Sequence, residues 1–178
     1  MKILFILVLI IIFISIIWYI SVSNKLKRLS IKVQESSSGI DVALTKRYDV
    51  LTQMVDVVKG YIKYEKDILT EIVKIRKDMT LKEKSDINKI MNERFERING
   101  VVENYPELKA SDNYKILQKS ILDVEEHLQA ARRLYNSNVS IYNEVVISFP
   151  TCIVAKNKKM TEKDFFEAEE IKKDDVKI

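Results

Sequence analysis

IDVALTKRYDVLTQMVDVVKGYIKYEKDILTEIVKIR, residues Ile40 to Arg76, carries large apolar side chains at Ile40, Leu44, Tyr48, Leu51, Val55, Val58, Ile62, Leu69 and Ile72. The steps are three and four almost throughout, which is the apolar stripe of a long amphipathic helix. A stripe of this length has to be covered by other helices. With three Gly and two Pro in 178 residues, the composition supplies long helices rather than strands and turns. Gly60 inside the stretch predicts a close helix contact, since a helical glycine costs about 1 kcal/mol against alanine.

Outward from this stretch, the covering helices announce themselves by caps and stripes. Thr80-Leu81-Lys82-Glu83 matches a capping box. A second helix follows to about Asn104, striped by Ile87, Met91, Phe95, Ile98, Val102 and Tyr105, with Pro106 closing it. Ser111 or Asp112 caps a third helix running to Ser148. Its stripe is Tyr114, Leu117, Ile121, Val124, Leu128, Ala131, Tyr135, Tyr142, Val145 and Phe149. The Tyr135-Asn136 and Tyr142-Asn143 pairs are read as tyrosines on the seam flanked by asparagines. After Pro150, TCIVAKNKKM reads as a loop, with Thr161 and Asp164 as caps for a short acidic helix through Phe165, Phe166, Ala168 and Glu170.

Toward the N-terminus, Ile3–Val22 is free of charge. A helix of about 20 residues spans the ~30 Å hydrocarbon core of a bilayer. Trp18 and Tyr19 near its end suit the interface. The run is too long for a signal-peptide core, so an uncleaved anchor is expected. The formal net charge of +4 is concentrated here. Residues 1–34 hold Lys2, Lys25, Lys27, Arg28 and Lys32 and no acid, leaving 25 basic against 26 acidic residues for the rest. The basic excess belongs beside a membrane and argues against a nucleic-acid partner. It favours a cytoplasmic C-terminal domain, while a signal anchor with Lys2 ahead of it would export the domain.

The fold expected is all-α: an antiparallel up-and-down bundle of three to four long helices with coiled-coil-like packing, after an N-terminal transmembrane helix. Its parts are an anchor over 1–23, a neck over 24–39, the bundle over 40–149 and a C-terminal loop, short helix and tail over 150–178. Ser36–Gly39 is either a hinge or part of an unbroken helix. The neck is expected to touch few partners, so that 40–149 folds without it and stands off the bilayer.

Signatures of chemistry are sparse. Cys152 is the sole cysteine and His127 the sole histidine. Asp123 and His127 share a helix face, but one histidine among acids on a charged helix is a solvated surface rather than a metal site. No nucleophile–base pattern and no Gly-rich phosphate loop occur. Glu65 interrupts the apolar stripe, and a buried glutamate needs a cation; Arg76, Arg94 and Arg97 are the candidates for a buried ion pair or interaction site. No catalytic, cofactor-binding or metal-binding residues are assigned.

IDVALTKRYDVLTQMVDVVKGYIKYEKDIL, NYPELKASDNYKILQ, ARRLYNSNVSIYNEVVISFP and KDFFEAEE, in this order and spacing, resemble the LemA family over nearly the whole chain. The resemblance implies a bacterial, membrane-anchored, antiparallel helical bundle without an established catalytic activity. Asp49–Val55 stands where the family usually has a proline-containing run, so no proline kink is expected here. The family's His-Glu pair is Tyr64-Glu65 in this chain, and His127 falls where a different polar or basic residue is usual, so a histidine-based role is not implied.

The expected function is a non-enzymatic interaction or scaffold protein in the bacterial inner membrane, crossing it once. Its partners are the lipid bilayer and a protein yet to be identified, with self-association through the neck a further expectation. The alternative is a membrane-associated accessory enzyme or hydrolase with a polar pocket near Glu65 and Tyr61.

Overall fold

The computed structural model describes residues 1–61 and 79–166. Among these the chain is all-α, with no strand. The helices are α1 (Lys2–Tyr61), α2 (Leu81–Glu103), α3 (Pro106–Ala110), α4 (Asp112–Ile147) and α5 (Thr151–Asn157). Two compact units are formed: Met1–Ser36 with Leu134–Phe165, and Ser37–Arg133 with Phe166–Ile178.

α1 is helical from the apolar N-terminal stretch to Tyr61, with no break at Ser36–Gly39 and no kink at Asp49–Val55. Serine disfavours helices because its hydroxyl competes for backbone partners. Here that competition is resolved inside the helix: Ser36 Oγ lies 2.9 Å from the carbonyls of both Lys32 and Val33. Of the two alternatives for this segment, the unbroken helix is the one found. At Gly60 an added Cβ would meet nothing within 4 Å among the described residues, so the expected close contact is not seen there.

In the unit that begins at Ser37, most of the predicted stripe positions form the core, joined by Met54 and Leu108, while Tyr105, expected on the α2 stripe, is exposed. Ile40, Leu44, Leu51, Met54 and Val58 of α1 are buried with Ile87, Met91, Ile98 and Val102 of α2, Leu108 of α3, and Tyr114, Ile121 and Leu128 of α4. Ile62, Leu69 and Ile72 lie outside the described residues. Thr80 and Glu83 form the capping box, with Thr80 N–H donating to Glu83 Oε2 at 2.7 Å and Glu83 N–H to Thr80 Oγ at 3.3 Å. Ser111 Oγ caps α4 by accepting from Tyr114 N–H at 3.3 Å. α2 already ends at Glu103; Pro106 opens α3, where its missing N–H costs nothing.

Contacts among the described helices give their sense. Asp41 meets Lys84, and Arg47 meets Asn88 and Asn92. Higher positions on α1 therefore meet higher positions on α2, so the two run in the same direction and are not antiparallel neighbours. α4 runs opposite to α2, since Arg47 joins Asn88 to Glu125 while Tyr114 pairs with Asn99.

In the other unit, Val22, Leu26 and Val33 of α1 are buried with Tyr135, Val139, Tyr142, Val145 and Val146 of α4 and Val154 and Ala155 of α5. Leu26 is 0% and Val33 2% exposed, so residues 24–36 put one helix face into the core and are not a bare neck. The segment expected to be a loop after Pro150 is helical over Thr151–Asn157, turned by 94° from α4. A seven-residue helix rich in β-branched residues shows no readable period. Phe149, expected on the seam, is exposed at this corner. Residues 161–166 are not helical, so neither Thr161 nor Asp164 caps a helix over Phe165 and Phe166, and Ala168 and Glu170 of the expected acidic helix lie outside the described residues.

α5 ends in a Schellman motif. Met160 N–H donates to Ala155 O at 3.0 Å and Lys159 N–H to Lys156 O at 3.0 Å, with Lys159 at φ 53°. A Cβ in the left-handed region costs about 1–2 kcal/mol, partly offset by the extra unfolded-state freedom of glycine. Lys159→Gly is expected to stabilise by about 0.5–1 kcal/mol. The thermal midpoint should rise by about 1–4 °C. A lowered midpoint in calorimetry would contradict this.

Candidate functional site

Glu65 and Arg76, and the pocket expected beside Glu65, lie outside the described residues. Arg94 and Arg97 sit on α2, the first half-buried and the second exposed. Asp123 and His127 are both exposed on α4. No group of three or more His, Cys, Asp or Glu side chains suited to a metal ion occurs among the described residues.

The polar centre that the structure does assemble is built on Arg47, which is 2% exposed. α1 carries it at the boundary of its stripe, three residues after Leu44 and four before Leu51. Its Nη1 donates to Asn88 Oδ1 and, at 3.3 Å, to Asn88 O; its Nη2 donates to Asn92 Oδ1. Its Nε lies 2.5 Å from Glu125 Oε1 on α4. A buried charge must be paired and hydrogen-bonded to be tolerated, and here amide and carboxylate oxygens from two helices surround the guanidinium. One turn and a half earlier, Lys84 Nζ is 2.6 Å from Asp41 Oδ1 and 3.3 Å from Ser37 Oγ. At the other end of α2, Tyr114 Oη pairs with Asn99 Oδ1 at 2.8 Å, and burial pushes the Tyr114 phenol above its ordinary pKa.

A guanidinium stays charged at any working pH and transfers no proton. What such a cluster does well is reject wrong registers. Apolar seams that repeat every seven residues tolerate a slide by one repeat, whereas these pairs exist at one alignment only. The sequence did hold a signal for it. Asn88 and Asn92 stand four apart, each immediately after a seam residue, and so share one helix edge facing the partner that offers Arg47.

A second polar arrangement holds the segment after α5 in the other unit. Asn143 Oδ1 accepts from Lys163 N–H and Asn143 Nδ2 donates to Lys163 O, both at 2.9 Å. Tyr135 Oη donates to Asp164 O at 3.0 Å, and Lys163 Nζ sits 5.3 Å above the Tyr142 ring. Burial raises the pKa of Tyr135 and of Tyr142, and Asp164 adds to the rise at Tyr135. Both tyrosines are buried on the seam, as expected, but Asn143 is a backbone clamp rather than a mere flank. Finally, Ser21, Lys25, Arg28 and Lys32 line one basic face of α1 directly after the apolar stretch.

Ile3–Val22 is apolar and exposed nearly throughout, and α1 is the one described helix that is by itself long and apolar enough to cross a membrane. A sequence model of the LemA family matches residues 36–178. The chain is 30% identical over 166 residues to "Protein LemA" of Metamycoplasma hominis, an alignment covering 89% of this chain and 74% of that one. A shorter match, 30% identical over 54 residues, is to "Magnetosome protein MamQ" of Magnetospirillum gryphiswaldense, covering 30% of this chain and 20% of the relative. The chain belongs to the LemA family.

Proposed function

We propose that this protein is a non-enzymatic scaffold of the bacterial inner membrane, held by α1 as a single-pass anchor and presenting a helical bundle to protein partners. The observation that carries the reading is the apolar run Ile3–Val22, exposed over most of its length and continuous within one helix with Leu26 and Val33, which are buried in the unit that holds the end of α4. An exposed stretch of this size is unstable in water and matches the thickness of a bilayer. We assign α1, α2 and α4 to coiled-coil-like packing, with α1 and α2 in one sense and α4 in the other. Support for a non-catalytic role comes from the polar centre at Arg47, whose guanidinium is held by Asn88, Asn92 and Glu125 and whose cation moves no proton.

The test is cross-linking in intact cells followed by affinity purification of the full chain from detergent-solubilised membranes. Recovery of a partner in constant ratio supports the scaffold. A chain that fractionates with soluble protein removes the anchor, and a membrane chain that yields no partner under cross-linking removes the scaffold.

A further inference from the structure

Within the unit formed by Met1–Ser36 and Leu134–Phe165, two contacts fix how α4 and α5 lie along α1. Asn138 Nδ2 lies 3.4 Å from Lys32 O, and Asn157 Nδ2 donates to Tyr19 Oη at 3.1 Å. As the chain advances from Asn138 to Asn157 it therefore moves back along α1 toward the apolar stretch. Both helices rise by about 1.5 Å per residue. Counting from the Asn138–Lys32 contact at equal rise places Ser148 level with Val22, where that stretch ends. There the chain turns by 94° into α5, which runs across the direction of α4 and ends at Tyr19.

The corner is apolar on its outside. Val154 and Ala155 face inward and are buried, whereas Phe149 is 81% and Ile153 56% exposed, with Ile147 exposed beside them. Lys156, Lys158 and Lys159 follow on the chain, and Lys25, Arg28 and Lys32 line the basic face of α1 on the side away from the apolar stretch. Trp18 and Tyr19, rings of the kind that settle at a membrane–water boundary, occupy the same level on α1. A short helix with an apolar outer face, set across a spanning helix at the depth of its aromatic residues and followed by lysines, has the chemistry of an interfacial segment.

We propose that the α4–α5 corner is a second membrane contact, which inserts Phe149 and Ile153 into the headgroup–acyl boundary of the bilayer that α1 spans while the flanking lysines meet anionic lipid phosphates. The occupant is the lipid surface and not a protein, because the corner lies at the depth where α1 leaves the hydrocarbon and because Lys156, Lys158 and Lys159 on the chain and Lys25 and Arg28 on α1 outnumber Glu144, one turn back on α4, and Glu162. The proposal rests on the membrane reading of α1. It places the first unit against the bilayer rather than beyond a bare neck.

The test uses the full chain in vesicles containing phosphatidylglycerol, with and without lipids brominated on the upper acyl chain. Trp18 is the sole tryptophan, so the natural protein reports the anchor. The double variant Trp18→Phe/Phe149→Trp reports the corner, and Trp18→Phe/Ile153→Trp repeats the measurement at a second exposed position. Circular dichroism identifies a variant that misfolds. We expect at least two-fold quenching of the introduced indole by the brominated lipids, together with protection from aqueous acrylamide. Quenching of Trp18 without quenching of either introduced indole overturns the proposal and leaves the anchor standing. In that case acrylamide protection would mean that a protein surface covers the corner, and acrylamide sensitivity would mean open water. Absence of quenching at Trp18 overturns the anchor and the proposal together.

Discussion

Arg47→Ala is expected to destabilise the unit around α2 by about 2–4 kcal/mol. Removing one partner of a buried pair typically costs about 3–5 kcal/mol, and the lower range applies here because Glu125 keeps partial access to water. The cost has two parts. The amide oxygens of Asn88 and Asn92 lose the donors they face, and the arginine stem leaves a void between α1 and α2. Arg47→Met separates them, since it refills the void without restoring a donor and should recover part of the loss. Urea midpoints of the two variants measure this. A loss below about 1 kcal/mol for the alanine variant would mean that the apolar seams alone fix the alignment.

The second large effect concerns the segment before Ser37. A chain beginning at Ser23 retains Leu26 and Val33, while one beginning at Ser38 lacks both and uncovers Tyr135, Val139 and Tyr142. Loss of a buried leucine and a buried valine side chain removes about 4–6 kcal/mol from that unit, a large fraction of what a domain has. The shorter chain is therefore expected to exchange its amide hydrogens rapidly over residues 138–147 and to melt without full cooperativity. The longer chain should keep those amides protected. Equal protection in both would show that the C-terminal part of α4 needs no cover from α1.

What could be read from residues alone was whatever local physics decides. The Thr80–Glu83 capping box, the Ser111 cap and the seams from Ile40 to Val58 and from Tyr114 to Leu128 depend on neighbours within a few positions. The features that eluded reading are set by distant parts of the chain. Leu26 and Val33 read as part of a bare neck until they are found buried in one unit with Tyr135 and Tyr142. Arg47 looks like surface charge until Asn88, Asn92 and Glu125 converge on it. Thr151–Asn157 is too short to show a period, and the common direction of α1 and α2 rests on contacts between residues more than forty positions apart. Of the candidate site, Arg94 and Arg97 are found on α2, whereas Glu65 and Arg76 fall outside the described residues.

Asn143 has a consequence for how the C-terminal segment can drift in sequence. Its carboxamide pairs with the N–H and the C=O of position 163, which every residue type but one carries in identical form. The clamp therefore does not inspect the side chain it holds. Lysine there can give way to almost anything at the modest loss of its contact with the Tyr142 ring, and proline alone is barred because it has no hydrogen to offer. Docking at positions 163 and 164 is thus written in Asn143 and Tyr135 of α4, which grip backbone atoms, rather than in the two side chains they hold.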